Sequence, residues 1–227
     1  MLLLPEKLSP KSLAKTTTKS NPVPQITRLV QQRNKNRVNV YLDGKFAFSV
    51  TLESALENNL KLEKILSQEE MEKLRGKDFD DKIFSRLTSF AVRRPHSKKE
   101  IEIWLHRKGI QNEEKEKFIN RLIEIGLIND EEFAKWWADQ RVTFRAKPAK
   151  MIKMELRAKG VEDEIITRTL EEQEGPTDEE RAQRVLTKKY GKIPKAQDMK
   201  EKKRIYDFLL RRGFSYETIK KVLAQNL

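Results

Sequence analysis

Apolar residues recur at helical spacing through the second half of this chain, three times in one frame. A basic residue, a Gly and an apolar residue stand together at Lys108-Gly109-Ile110, Lys159-Gly160-Val161 and Arg212-Gly213-Phe214. Four residues before each Gly is a Leu (Leu105, Leu156, Leu209), and eight before it an Ile (Ile101, Ile152, Ile205). Four after it is a Glu (Glu113, Glu164, Glu217). Ile and Leu four apart share a helix face. The basic residue falls in the last turn, at the negative end of the dipole. Gly just past the helix takes the left-handed conformation without a Cβ penalty, and the next apolar residue packs back. The Glu then sits at the positive end of the following helix. The glycines lie about 50 residues apart, a period that marks stacked helical units. A function spread over a surface, rather than one pocket, is expected.

The earlier part of the chain has another period. Ile26, Leu29 and Val30 precede an Asn34-Lys35-Asn36 turn signal. Val38, Val40 and Leu42 then alternate with polar residues, Asp43-Gly44 follows, and Phe46, Phe48 and Val50 alternate again. Asp-Gly between alternating runs predicts a hairpin. The segment reads as a three-stranded meander, too small to stand alone and expected to pack on the first helices. From Thr51 onward the chain reads as helices near 51–60, 67–75, 78–92, 97–108, 113–125, 130–145, 148–159, 162–173, 177–190, 197–212 and 215–225. Ser67/Glu70, Ser97/Glu100, Asn129/Glu132 and Thr177/Glu180 have capping-box form. The predicted fold is mainly α, a tandem array of three three-helix, helix-turn-helix-like repeats with a small N-terminal β-meander. The expected divisions are a disordered basic tail over 1–24, the meander plus short helices over 25–76, and repeats over 77–126, 127–175 and 176–227.

Charge adds a class of partner. The 227 residues carry a net charge of +13, which implies an anionic partner such as nucleic acid or a nucleoprotein. The charge comes in blocks. Residues 139–160 and 181–212 are basic, and 162–180 are acidic, so a basic and an acidic face are expected. High charge and few aromatics suit a repeat protein. The chain lacks Cys, so a reducing, cytoplasmic setting is expected, with no disulfide, thiol nucleophile or Cys metal site. Leu2-Leu3-Leu4 is too short for a signal sequence or a membrane span.

No catalytic constellation emerges. His96 and His106 have no metal-ligand spacing and read as surface or cap residues. There is no phosphate-binding Gly-Lys-Ser/Thr loop and no paired carboxylate set for a nuclease, so neither enzyme activity nor a cofactor is expected. For binding, the first candidate block is Arg141, Arg145, Lys150, Lys153, Arg157 and Lys159, with Lys150, Lys153 and Arg157 on one helix face. Arg204, Arg211 and Arg212 form a second, and Arg94 belongs to a third with Arg93 and Arg107. Phe133, Trp137 and Phe144 read as core, and Trp136 as packing between units.

Several segments resemble the RecX family of bacterial recombination regulators. They are Gly126-Leu127-Ile128-Asn129-Asp130-Glu131-Glu132-Phe133-Ala134, the stretch Arg145 to Val161 with Glu155-Leu156 and Lys159-Gly160-Val161, and Phe208-Leu209-Leu210-Arg211-Arg212-Gly213-Phe214. Arg93-Arg94 through Ser97 and Glu100 fits the first repeat, so the resemblance covers about two thirds of the chain, and the meander is similar to the amino-terminal extension of longer members. It implies an elongated, curved molecule that binds the RecA recombinase filament on single-stranded DNA. It further implies inhibition of RecA's ATPase and strand exchange, in homologous recombination, DNA repair and the SOS response. Separately, a monomer is expected, because the meander and the last unit can cover the repeat ends, and no membrane contact is expected, because no apolar stretch approaches membrane length. The alternative is a general DNA-binding or transcriptional regulator using helix-turn-helix repeats. The acidic starts Glu113-Glu114 and Glu162-Asp163-Glu164 count against it, because they repel phosphate.

Overall fold

The computed structural model describes residues 23–33, 35–192 and 198–225. The tail expected over 1–24 lies, up to residue 22, outside the described residues. The chain divides into two compact units, one ending at Lys82 and one from Ile83 to Leu227.

The first unit holds an antiparallel meander of β1 (Ile26–Gln31), β2 (Arg37–Leu42) and β3 (Lys45–Thr51), in the order β1-β2-β3. Asp43 and Gly44 both have positive φ, and Leu42 pairs with Lys45 across a two-residue turn, as the Asp-Gly signal predicts. The alternation of β3 breaks at one place. Val40 pairs with Phe48 but Tyr41 pairs with Phe46, so Ala47 is an extra residue in the strand. Phe48 and Val50 therefore enter the core, whereas Phe46 is exposed and meets Tyr41 edge-on at 5.8 Å. The sheet closes its core with Ala55 of α1 (Leu52–Glu57), with Leu60 and Leu66, and with Met71 and Leu74 of α2 (Gln68–Ala91).

Helix α2 is a correction. Two helices were expected over 67–75 and 78–92, with Gly76 near the break. The structure runs one helix through Gly76, whose φ stays negative. A helix-interior glycine costs about 1 kcal/mol. Buried Met71, Leu74, Ile83, Leu87 and Ala91 fix helical backbone on both sides of it.

The second unit carries the repeats. Its helices are α3 (Lys98–Arg107), α4 (Asn112–Glu124), α5 (Asp130–Arg145), α6 (Ala149–Ala158), α7 (Asp163–Glu171), α8 (Asp178–Tyr190), α9 (Met199–Arg211) and α10 (Tyr216–Gln225). Three apolar clusters follow the chain. One joins Ile83, Leu87 and Ala91 to α3 and α4, the next lies within α5–α7, and the third joins Ala146 to α8–α10.

The repeated glycines end α3, α6 and α9 in the same way. Gly109, Gly160 and Gly213 have φ of 79°, 81° and 89°. The amides of Ile110, Val161 and Phe214 reach back to the carbonyls of Leu105, Leu156 and Leu209 at 3.2, 3.1 and 3.2 Å. The glycine amides reach His106, Arg157 and Leu210 at 3.0, 3.0 and 2.9 Å. This double closure is the Schellman motif. All three following apolar residues are buried, so the motif turns the chain and adds to each core at once. Glu113, Glu164 and Glu217 then stand in the first turns of α4, α7 and α10.

Candidate functional site

A second repeated device joins one three-helix unit to the next. The first residue of each lead helix caps the middle helix of the unit before it. Asp130 Oδ1 accepts from the Lys98 amide at 2.9 Å, and Asp178 Oδ1 accepts from the Ala149 amide at 3.1 Å. Each carboxylate answers a free N–H at the positive end of a helix dipole. Burial, and then the charge of Glu162, raise the pKa of Asp130.

The two joints differ beside those caps. Between the first and second units the contact is ionic. Glu100 is the hub: its carboxylate accepts from Arg94 Nη1 at 2.8 Å, His96 Nδ1 at 3.0 Å and Lys159 Nζ at 2.6 Å. Ser97 Oγ donates to the Lys159 carbonyl at 2.8 Å. The Glu100 side chain is only 11 % exposed. Burial opposes its ionisation, but hydrogen bonds from Arg94 and Lys159 outweigh burial and hold its carboxyl at about 2. Burial and the Arg94 charge depress His96, which therefore stays neutral at pH 7 and donates through Nδ1. Between the second and third units the corresponding contact is apolar: Met151, which aligns with Glu100 when the glycines are superposed in sequence, lies against Gly213. Buried Arg181 supports this joint by donating to Asp178 at 3.0 Å and to the Lys147 carbonyl at 3.3 Å.

Around the ionic joint, cations and rings alternate. Arg94 lies over Trp136 at 5.2 Å, and Lys159 and Arg141 lie over Trp137 at 4.9 and 3.8 Å. Trp137 Nε1 and Arg141 Nε donate to Glu155 at 2.9 and 2.7 Å, and Lys147 is paired with the same carboxylate. Burial raises the Glu155 pKa, but the hydrogen bonds from Lys147, Arg141 and Trp137 together lower it. Phe90 stacks on Trp104 at 5.9 Å and covers His96 at 4.0 Å.

These contacts sort the candidate residues. Arg94, Arg141 and Lys159 are half-buried and spend their charge within the protein. Arg157 is exposed and forms a forked pair with Asp163 at 2.6 and 2.8 Å. Lys150 and Lys153 lie on the same helix as Arg157, the first exposed and the second half-buried. Arg204 and Arg211 are exposed on α9. His96 is not a surface residue but 2 % exposed, because Phe90 and Glu100 enclose it. Ser97 caps α3 through its Oγ, yet Glu100 turns to the three donors instead of completing the box. Ser67/Glu70 and Thr177/Glu180 do form reciprocal boxes. Trp136 packs between units, as its sequence position predicts.

Two candidates from separate blocks come together. Arg145, at the end of α5, and Arg212, at the end of α9, line one cleft of about 450 Å³ with Arg184, Lys188 and Lys189 of α8. Among the described residues, five cations and no acid line it. Phe144 stands at its edge, 67 % exposed. It was expected in the core, one heptad beyond Trp137, but Val142 and Ala146 take the buried positions there. Lys189 and Arg212 lie over Phe208 at 3.8 and 5.3 Å, which braces both cations on the rim. Sequence reasoning missed Arg184, Lys188 and Lys189. Their signal was the basic run on α8, with Arg184 and Lys188 four apart.

Chemically, the cleft suits an anion with a planar or apolar group. Among the described residues, no group of three or more His, Cys, Asp or Glu is placed to hold a metal ion, and no helix is long and apolar enough to cross a membrane.

Comparisons with known proteins agree with this architecture. Sequence-family models match at residues 24–67 (regulatory protein RecX N-terminal domain), 129–170 (RecX, second three-helix domain) and 177–223 (RecX, third three-helix domain). The chain is 30 % identical to the regulatory protein RecX of Bacillus pumilus, over 89 % of this chain and 78 % of that one. It is 31 % identical to the regulatory protein RecX of Listeria monocytogenes, over 84 % and 71 %. In fold it is similar to a crystal structure of regulatory protein RecX, with a TM-score of 0.69 and 22 % identity over 88 % of this chain and 98 % of that one. It is also similar to RecX from Lactobacillus salivarius, with a TM-score of 0.54 and 24 % identity over 64 % and 94 %. With its meander, its repeated three-helix units and relatives this similar along most of their length, the chain belongs to the RecX family of regulatory proteins.

Proposed function

We propose that this protein binds the RecA recombinase filament on single-stranded DNA and inhibits its ATP hydrolysis and strand exchange. The observation that carries this reading is the acid-free cleft of Arg145, Arg184, Lys188, Lys189 and Arg212, in a chain of a regulatory family. Five cations around one depression concentrate positive potential where a phosphate backbone would lie. Phe144 adds a ring on which a base can stack without regard to sequence. Lys150 and Lys153 extend the contact along the second unit. A protein built of repeated units can touch more than one filament subunit and oppose the subunit motion that the ATPase cycle needs. The reading places the protein in the bacterial cytoplasm, in recombinational repair and the SOS response, acting as a monomer without a cofactor. The acidic first turns of α4 and α7 disfavour the alternative of a helix-turn-helix protein reading duplex DNA.

The test is binding to RecA filaments on oligo(dT) over a range of salt, with Arg145→Ala, Arg184→Ala and Lys189→Ala made singly and together. Each cation removed is expected to lower the salt slope by about 0.7. An unchanged slope in the triple variant would remove the cleft from the interface.

A further inference from the structure

We propose that the third three-helix unit carries a separate docking surface, on α9 and α10, for an acidic peptide segment with aliphatic or aromatic anchors. It shares no lining residue with the basic cleft and does not depend on that reading.

The surface comprises two adjoining depressions of about 590 and 290 Å³, which share Lys202, Tyr206 and Leu223. Their floor is apolar. Met199 is 79 % and Tyr216 60 % exposed, and Tyr206 meets Tyr216 edge-on at 6.3 Å. Lys203 and Lys220, both exposed, stand with Lys202 at the rim.

The other repeats serve as internal controls. Aligned on the three glycines, Tyr206 corresponds to Lys153 and Glu102, and Tyr216 to Asp163 and Asn112. The first two units therefore solvate this face with charged and amide side chains, and only the third replaces them with rings. The position that makes the joints, Glu100 and then Met151, is Arg204 in the third unit, where it is exposed and polar. Of the exposed large apolar residues described in this unit, Met199 and Tyr216 line the two depressions, as in an interaction site, and Leu210 lies outside them.

Charge selects the occupant. A rim of lysines around an apolar floor complements carboxylates that flank apolar anchors. A second copy in a two-fold pair would set one lysine rim against another. The chain's own residues 1–22 carry four lysines and one glutamate, so they are of the wrong sign. A nucleic acid would find the two phenol rings at 69° to each other, no parallel platform for successive bases.

The experiment is fluorescence anisotropy of the full chain with a labelled short peptide in which Glu pairs alternate with Leu and Phe. A matched peptide with Ser for Leu and Phe, and labelled oligo(dT), are run beside it. Binding of the first peptide is expected to weaken at least about tenfold in the Ser peptide. The same loss is expected in Tyr206→Lys/Tyr216→Asp, which installs the second unit's own residues, and in Lys203→Glu/Lys220→Glu, which touches only exposed positions. The proposal is overturned if both variants bind the peptide as the wild type does, or if the Ser peptide binds equally well. It is also overturned if the variants lose oligo(dT) rather than peptide, or if the wild type dimerises through this face and the variants do not.

Discussion

Replacing Glu100 with Gln should destabilise the second compact unit by an amount that depends on pH in a calculable way. The substitution keeps the shape but removes the one negative charge facing Arg94, His96 and Lys159. The Glu100 carboxyl lies at about 2 against 4.5 for an ordinary glutamate. At about 1.4 kcal/mol per pH unit, that difference stabilises the folded state by about 3 kcal/mol at pH 7. The folded pKa is the lower one, so the stabilisation is complete above 4.5 and fades as pH falls toward 2. At pH 3 about 1.4 kcal/mol should remain. Urea unfolding followed by tryptophan fluorescence is the assay. The chain's three tryptophans report on this region: Trp104 stacks beside Phe90, and Trp136 and Trp137 lie under Arg94 and Lys159. The wild type and Glu100→Gln should differ by about 3 kcal/mol at pH 7 and by about half that at pH 3. A gap below about 1 kcal/mol at pH 7, or the same gap at both pH values, would refute the assignment of Glu100 as the charged hub of the joint.

The glycines and the caps give two further tests of the repeat. Gly109→Ala should cost about 1–2 kcal/mol from its left-handed backbone alone, because a Cβ there meets nothing within 4 Å. Gly160→Ala and Gly213→Ala should cost more, since the new methyl meets Lys99 Cβ at 2.9 Å in one and Met151 Sδ at 2.7 Å in the other. Equal losses at all three positions in denaturant unfolding would argue against the joints as described. Asp130→Ala should lose a helix cap, about 1 kcal/mol. Asp178→Ala should lose about 3 kcal/mol, because it also leaves buried Arg181 without its carboxylate.

What the sequence revealed and what it hid divide along one physical line. Features decided within a few residues were legible: the Asp43-Gly44 hairpin, the Schellman glycines with their buried followers, and the boxes at Ser67 and Thr177. Features decided across the chain were not. Glu100 has capping-box spacing three residues from Ser97, yet its closest side-chain partner, Lys159, is 59 residues away. Arg141 and Lys159 read as members of a free basic block, because nothing local shows that Glu155 and Glu100 neutralise them. The cleft draws Arg145 and Arg212 from different blocks and unites them with α8. Phe144 fits the helical period of a core residue, but α5 ends one position later with Ala146 in the left-handed conformation. The pattern divided 67–92 into two helices, but apolar residues on either side of Gly76 keep α2 continuous.

The most direct test of the central claim is RecA's ATPase on single-stranded DNA, titrated with the wild type, the Arg145→Ala/Arg184→Ala/Lys189→Ala variant and a Lys150→Ala/Lys153→Ala variant. The wild type should inhibit, the cleft variant should require at least about tenfold more protein for the same inhibition, and the α6 variant should be affected less. An ATPase unmoved by the wild type at stoichiometric concentration would contradict the proposed function.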